Sequence, residues 1–346
     1  MLSEVTKDQI MRLAAAVVAL IAATFPALAQ EKKTVTIAVS GPPAQLYFLP
    51  VVLAKQLGYF EQAQVNVELQ HFNAGSRALE SVVGGSADIV AGAYENTVRM
   101  QPKGQPMQSI VLFGRYPGNI LGVAKANAAA YKSPADLKGQ KIGITGPGSA
   151  TQTFLNLILE KAGLKPDDVS PVTVGAGAVA VAAMKRGNEL YAISNLDLAI
   201  TELTLSGDIV VAFDSRNAEG TRAVYGGDYA SGSLYAPTAF VQRNPKNVEA
   251  IALSMVRTLA WMKKATPDEI IAKLPTDFYQ ANPAVYRKAL EANLPSFSPD
   301  GLMPADAPAN VLKAMARFDP AIASAKIDMG TTYDNRFVEA ALKAVK

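Results

Sequence analysis

The chain contains no cysteine and a single histidine, His71. The lack of cysteine excludes disulfide bonds, thiolate metal sites, iron–sulfur clusters and cysteine nucleophiles. A histidine-based zinc site or a Ser-His-Asp triad would have to include His71. That residue ends the run VNVELQHF, which is typical of a β-strand, and a packed or solvated histidine fits this position better than a catalytic one.

Blocks of one charge and long apolar runs are also scarce. The formal net charge of +3, without a block of Lys or Arg, gives no indication of nucleic-acid binding. Residues 13–25 form an apolar run that is too short to span a bilayer. Arg12 precedes this run and Ala27-Leu28-Ala29 follows it, which is the pattern of a cleaved signal peptide. We therefore expect residues 1–29 to be removed on export. The periplasmic mature protein should have no lipid anchor, because no cysteine follows the cleavage site, and no membrane-inserted segment.

What the sequence does contain is an internal duplication. Two stretches share one order of signals: strand, glycine turn, helix, strand, glycine turn, helix, strand, polar loop. The matched positions pair Ile37 with Ile142, Gly41 with Gly146, Gly58 with Gly163, Gly75 with Gly177, Gly85 with Gly187, and Glu95 with Asp197. Strands that alternate with amphipathic helices indicate βαβ units and parallel pairing. The duplication therefore predicts an α/β protein of two lobes, each a mainly parallel sheet flanked by helices.

The order of segments predicts how the lobes are connected. Two β-rich runs flank Tyr116-Pro117-Gly118 between the copies, and the glycine-rich YGGDYASGS leads from the second copy into another β-rich run. Helical patterns fill the rest of the chain. We therefore predict a first lobe formed by residues 30–122 and 234–346, with a second lobe, residues 123–233, inserted into it. Two crossings, near 115–119 and 232–237, would form a hinge.

Six predicted strand ends carry turns or polar loops. They are Ser40–Pro43, Asn73–Ser76, Ala93–Asn96, Thr145–Ser149, Gly175–Gly177 and Ser194–Asp197. Ligands of open α/β sheets bind outside the carboxyl ends of the strands, so lobes that face each other would bring these loops into one cleft. Glycine turns that open helices expose N–H groups and favour anions. The turn at Gly146–Ser149 lacks the lysine of a P-loop, and Thr151 replaces the third glycine of a dinucleotide motif.

Three segments, LPVVLAKQLGYFEQAQVNVEL, GSRALESVVGGSADIVAGAYENT and SPADLKGQKIGITGPGSAT, resemble the nitrate/sulfonate/taurine-type periplasmic substrate-binding proteins of ABC transporters. That family shares a domain with thiamine-pyrimidine precursor proteins. A fourth segment departs from the pattern at Leu190-Tyr191, where an acidic residue and alanine are usual. The resemblance implies a two-lobed periplasmic-binding-protein fold of type II that delivers a small solute to a permease and its ATPase, without a reaction or a cofactor. The resemblance implies that the ligand is bound by the run from Ser40 through Gln45, which includes Gly41. It also implies binding by Gly75, Ser76, Tyr94, Glu95, Asn96, Gly148, Ser149, Ala150 and Thr151.

Further candidates come from the residues themselves. Arg115, at a strand end beside the hinge, is a candidate partner for an anion, whereas Arg77 suits a solvent-exposed position equally well. The second-lobe loop adds Ser194, Asn195 and Asp197. Glu95 and Asp197 occupy equivalent loops, so they could form an acid/base pair across the cleft, cap helix starts, or bind hydroxyl or amino groups of a ligand.

Other function classes remain as alternatives to solute binding. One is an enzyme of the thiamine-pyrimidine precursor-synthase type, which depends on a cysteine and consumes its own histidine; this chain has no cysteine and no histidine in a helix-start loop. Another is a different extracellular enzyme on the same fold. An effector-sensing domain of a regulator is disfavoured by the export signal. The sequence leaves the solute open, with sulfonate- and carboxylate-like anions favoured, and it leaves the oligomeric state open, although the resemblance implies a monomer.

Overall fold

The computed structural model describes residues 31–186 and 189–345, so the predicted signal peptide and Gly187 lie outside the described residues. Strands within them are β1 Thr34–Val39, β2 Asn66–His71, β3 Ile89–Ala93, β4 Met107–Leu112, β5 Asn119–Ala124, β6 Lys141–Ile144, β7 Ser170–Thr173, β8 Ala192–Leu196, β9 Ile209–Asp214 and β10 Gly232–Pro237. They form two five-stranded sheets, in the orders β2-β1-β3-β10-β4 and β7-β6-β8-β5-β9.

The two sheets have the same topology. In the first, β1 pairs in parallel with β2 and β3, and β10 runs antiparallel to β3 and β4. In the second, β6 pairs in parallel with β7 and β8, and β5 runs antiparallel to β8 and β9. Four strands of each sheet therefore point one way and one strand is reversed. The predicted α/β fold is confirmed, with sheets that are mixed because the reversed strand makes two of the four pairings antiparallel.

Helices lie between the strands and after the last one. Their bounds are α1 Leu49–Gln56, α2 Tyr59–Gln62, α3 Gly75–Val83, α4 Glu95–Met100, α5 Lys125–Ala128, α6 Ala150–Lys161, α7 Ala178–Lys185, α8 Asp197–Leu205, α9 Ala218–Tyr225, α10 Thr238–Arg243, α11 Pro245–Met262, α12 Pro267–Ile271, α13 Pro283–Asn293, α14 Ala307–Ala316, α15 Pro320–Ser324 and α16 Arg336–Val345. No helix among the described residues is long and apolar enough to cross a membrane.

The duplicated segments occupy equivalent places in the two lobes. Helix α1 follows β1 as α6 follows β6, and α4 follows β3 as α8 follows β8. Gly58 and Gly163 both follow the first long helix of their lobe with left-handed backbone, at φ 69° and 72°. Because that conformation costs glycine no steric penalty, the matched glycines end the two helices in the same way.

The chain crosses between the sheets twice, after β4 and before β10. The reversed strand of each sheet, β5 or β10, is the strand that follows a crossing. The Tyr47 hydroxyl joins the two crossings, since it donates to the Tyr116 carbonyl at 2.7 Å and accepts from the Gly232 N–H at 2.9 Å. All of β5 pairs with the second sheet and all of β10 with the first, so we propose that the second lobe begins before Asn119 and ends before Gly232.

Apolar clusters hold each lobe together. The first sheet packs against α11 and α16 through residues such as Ile37, Val111, Ile251 and Val338, all at most 1% exposed. The second sheet packs against α6 through a cluster that also takes in Met315 of α14. Helix α14 contacts both α4 and α9, so the C-terminal part of the chain touches both lobes.

Candidate functional site

A small cavity lies where the carboxyl ends of the parallel strands of both sheets meet. Its volume is about 30 Å³, which is the room of roughly one or two water molecules. Both lobes contribute to its wall, which consists of Ser40, Tyr47, Phe48, Gly75, Ala93, Asn96, Pro117, Asn119, Thr145, Ser149, Ala150, Thr151, Leu196 and Ser231. None of these residues is a lysine or an arginine. We call this space the central cavity.

Two helix N-termini, one from each lobe, reach the central cavity. Helix α3 begins at Gly75 and α6 at Ala150, and neither helix has a side chain that caps its first turn. The first N–H groups of a helix have no partner within the helix, and its dipole places partial positive charge there. The cavity therefore offers positive potential from backbone groups alone, which suits a small anion.

Hydroxyl groups organise the turn before α6. The Thr151 hydroxyl accepts from the Thr145 N–H at 3.0 Å and lies 2.8–2.9 Å from the hydroxyls of Thr145 and Ser149. Ser194 donates to the Thr151 carbonyl at 2.8 Å. These side chains are buried. Because they satisfy one another, the turn keeps the helix start open towards the cavity.

Two buried polar atoms on the cavity wall have no protein partner. They are Oγ of Ser40, in the first lobe, and Oδ1 of Asn119, the first residue of β5. Asn119 pairs with Leu196, at the carboxyl end of β8, because β5 is reversed. The first residue of β5 therefore lies at the edge of the sheet where the neighbouring strands have their carboxyl ends. The site predicted from the sequence consists of loops at the carboxyl ends of strands, so it does not include Asn119, which falls in the predicted hinge.

Glu95 joins the lobes on one side of the cavity. Its carboxylate accepts from the Thr153 hydroxyl of α6 at 2.6 Å and from the Tyr229 hydroxyl at 2.7 Å, and forms an ion pair with Arg99. Arg99 also donates to Thr153 and to the Gly148 carbonyl, at 2.9 and 3.0 Å. Both Arg99 and Glu95 belong to α4, so the cluster bonds the first lobe to the second. We call Glu95, Arg99 and Thr153 the α4–α6 clasp.

Asp197 makes the equivalent connection from the second lobe. Its carboxylate accepts from the Gln45 side chain at 2.6 Å and from the Tyr47 N–H at 2.8 Å, and also from Leu198 N–H at its own helix start. Burial raises the pKa of Asp197, although hydrogen bonds from Leu198, Gln45 and Tyr47 act in the opposite direction. The duplicated carboxylates Glu95 and Asp197 thus both reach across to the other lobe, and neither lines the central cavity.

Two larger cavities lie at the same interface between the lobes. One, of about 370 Å³, is lined by residues 42–45 of the first lobe, by Gly177, Ala178 and Val181 of the second, and by the aromatic residues Phe278, Tyr279 and Tyr286. The other, of about 580 Å³, lies between 73–80 and 145–147 with 173–175. All six predicted strand-end loops therefore contribute to one of the three cavities. No group of side chains suited to holding a metal ion occurs among the described residues.

Comparison with known proteins agrees with this geometry. The model of the family described as NMT1/THI5 like matches residues 45–270. The chain belongs to the NMT1/THI5-like family. A solved protein of Bordetella bronchiseptica RB50 is 43% identical, with a TM-score of 0.87, over 91% of this chain and 98% of that one.

Solved structures of lower sequence identity share the two-lobed periplasmic-binding-protein fold. The alkanesulfonate-binding protein of Xanthomonas axonopodis pv. citri, bound to MOPS, is 20% identical with a TM-score of 0.63, over 90% of this chain and 99% of that one. The periplasmic nitrate-binding protein of Synechocystis PCC 6803 is 14% identical with a TM-score of 0.67, over 91% and 90% of the two chains. The predicted resemblance to binding proteins of ABC importers is confirmed, and the fold and family support a solute-binding role.

One curated relative is an enzyme. It is the 4-amino-5-hydroxymethyl-2-methylpyrimidine phosphate synthase of Schizosaccharomyces pombe, 27% identical over 129 residues. The match covers 37% of this chain and 36% of the synthase, so the chain spans about a third of that relative's length.

In this member of the NMT1/THI5-like family, only some of the predicted ligand-binding residues lie on the wall of the central cavity. The predicted residues found there are Ser40, Gly75, Asn96, Ser149, Ala150 and Thr151. Tyr47 and Asn119 also lie on this wall, although neither is among the predicted ligand-binding residues. Whether any of these residues binds a ligand stays a prediction.

The other predicted residues have protein partners or lie elsewhere. Gln45 lines the cavity of about 370 Å³ and Ser76 the one of about 580 Å³. The Tyr94 hydroxyl bonds to that of Thr332. The amide of Asn195 donates to the Gly175 carbonyl at 2.9 Å.

Three more predicted positions lie off the central cavity. Gly41 is buried, and its carbonyl lies 3.0 Å from Nδ1 of His71. Gly148 is exposed, and its carbonyl accepts from Arg99. Arg115 follows the end of β4 and is exposed to solvent. Its guanidinium carbon lies 5.5 Å from the centroid of the Tyr116 ring.

Proposed function

We propose that this protein captures a small anionic solute between its lobes and delivers it to an ABC importer after export to the periplasm. The observation that carries the proposal is the pair of uncapped helix starts, from different lobes, at one buried cavity. Each would donate N–H groups to the same anion, and neither could enclose it alone. The importer and its ATPase are proposed as partners because sulfonate- and nitrate-binding proteins share the fold.

The closed arrangement of the lobes supports capture by closure. Gln45 and Asp197 bond across the interface on one side, and the α4–α6 clasp does so on the other. A cavity of about 30 Å³ has room for one or two water-sized groups, so the anionic head of a solute would fill it and the remainder would hold the lobes further apart. Entry of the solute therefore requires the lobes to separate at the two crossings. This opening is the domain motion expected of a binding protein with a hinge.

A thermal-shift screen tests the proposal. A ligand that binds only the folded chain raises the melting temperature with its concentration. The mature protein would be screened against small sulfonates and carboxylates, each beside a neutral analogue of similar shape, such as acetate beside acetamide. We expect at least one anion to raise the melting temperature while its neutral analogue does not. An equal shift from anions and neutral analogues would refute the anionic class.

An enzyme of the pyrimidine-synthase type is the second candidate, and the synthase relative favours it. Against it, Glu95 and Asp197 are both occupied by donors from the protein and lie off the central cavity, so they do not form an acid/base pair on its wall. Incubation of the protein with solutes that bind it, followed by mass analysis, distinguishes the classes. Recovery of unchanged solute supports binding, and a product supports an enzyme.

A further inference from the structure

We infer that the solute carries a hydrogen-bond donor, a hydroxyl or amino group, close to its anionic group, and that Asn119 recognises this donor. The inference rests on the proposed function, because it concerns the same cavity. It goes further by naming a chemical class: 2-hydroxy or 2-amino acids and their sulfonate counterparts, rather than anions that only accept hydrogen bonds.

The Asn119 amide is oriented with its nitrogen towards Tyr225. Its Nδ2 donates to the Tyr225 hydroxyl at 3.2 Å. The Ser215 hydroxyl donates to the backbone carbonyl of Asn119 at 2.7 Å, so it does not bond to the side-chain amide. With Nδ2 turned towards Tyr225, the acceptor Oδ1 has no partner in the protein and is left for the cavity.

An acceptor on the wall is unexpected in a site that otherwise favours anions. Asn119 is 1% exposed, and its Oδ1 has no partner in the protein. A buried acceptor without a donor costs free energy, and an oxygen of the anion placed against it would be repelled. A ligand that presents an N–H or O–H group beside its anionic group would satisfy both Asn119 and the helix starts.

Ser40 completes the recognition from the other lobe. Its hydroxyl is buried, has no partner and lies beside Gly75 at the start of α3. A hydroxyl donates as well as accepts, so Ser40 can bond to either part of the solute. Asn119 is therefore the position that discriminates between anions with a donor and anions without one.

Matched pairs of anions test the inference by titration calorimetry. Glycolate would be compared with acetate, and 2-hydroxyethanesulfonate with ethanesulfonate, on the wild-type mature protein. We expect the member with the hydroxyl to bind about 5- to 150-fold more tightly, because the other leaves a buried acceptor unpaired. Asn119→Leu, of similar size, should reduce this ratio to near one. Asn127→Leu, whose Asn127 side chain bonds to the Tyr191 carbonyl outside the cavity, is the matched control and should keep the ratio.

The outcomes separate this inference from the proposed function. Equal binding of both members of each pair, or tighter binding of the member without the hydroxyl, overturns the inference but leaves anion capture standing. A ratio that survives in Asn119→Leu also overturns the role of Asn119. If no anion binds or raises the melting temperature, both the proposed function and the inference fail. The wild-type comparison tests the requirement for a donor on the solute even if Asn119→Leu does not fold.

Discussion

Replacing Thr153 with valine should weaken solute binding from a position outside the central cavity. The Thr153 hydroxyl, in α6, donates to Glu95 at 2.6 Å and accepts from Arg99 at 2.9 Å, both in α4 of the other lobe. Thr153 and Glu95 are 2% and 1% exposed. Valine keeps the shape of threonine but removes the hydroxyl, so Thr153→Val deletes these two bonds between the lobes without leaving a large void. The bonds of Tyr229 to Glu95 and of Arg99 to the Gly148 carbonyl remain.

The magnitude follows from the charge of the partners. A hydrogen bond to a charged group contributes about 1.5–3 kcal/mol, and about 1.4 kcal/mol corresponds to a tenfold change in an equilibrium constant. Glu95 and Arg99 keep each other as partners in the variant, so we count the loss of one such bond. The closed form should be weakened by roughly 10- to 100-fold. If the solute binds the closed form, its apparent affinity falls by up to the same factor.

Titration calorimetry with an anion found by thermal shift measures this loss. The matched control is Thr258→Val, because the Thr258 hydroxyl is equally buried but donates to the Ser254 carbonyl within α11 at 2.8 Å. That variant should lose thermal stability and keep its affinity. Unchanged affinity in a folded Thr153→Val protein, or an equal loss in Thr258→Val, would refute the role of the α4–α6 clasp in closure.

Four other predictions address single features. Burial lowers the pKa of His71 below its ordinary 6.5, despite its hydrogen bond to the Gly41 carbonyl, so this group contributes stability that is lost as the pH falls through the lowered pKa; the one histidine signal in an NMR titration should give a midpoint below 6.5, and a midpoint at or above it contradicts the burial. Burial raises the pKa of Asp197, so its contribution to the unfolding free energy is fully present below the ordinary value of 3.8 and declines as the pH rises through the raised pKa. The melting temperature of the wild type relative to Asp197→Asn should therefore increase between pH 7 and pH 4, and a difference independent of pH would count against this account. Gly114→Ala should lower stability by about 1–3 kcal/mol, because the added Cβ would lie 2.9 Å from the Gly232 backbone and against the Tyr47 hydroxyl; denaturation curves test this, and an unchanged midpoint would show that the crossings adapt. Intact-mass analysis of the exported protein should find a first residue at Gln30, and retention of residues 13–25 would contradict the signal-peptide prediction.

The sequence by itself determined the fold class and the edge of the fold where a site could form. Alternating strand and helix patterns, repeated in two copies, require parallel βαβ units and hence two similar lobes. These signals are local, since the glycine turns and helix starts around Gly75 and Ser149 depend on residues a few positions away. The carboxyl ends of parallel strands then bring the turns to one edge whatever the details of packing. For this reason the six loops predicted from sequence all contribute to the cavities between the lobes.

Only the tertiary structure decided which side chains meet across that edge. Gln45 bonds to Asp197 over 152 positions, and Tyr229 to Glu95 over 134. No periodicity in one segment specifies a partner so far away, so sequence reasoning left the roles of the two carboxylates open. It also missed Asn119, because the reversed direction of β5 is set by the crossing and by pairing with β8. The contacts that join the lobes, and the place of Asn119 on the cavity wall, are thus products of non-local packing, which the chain encodes only as a whole.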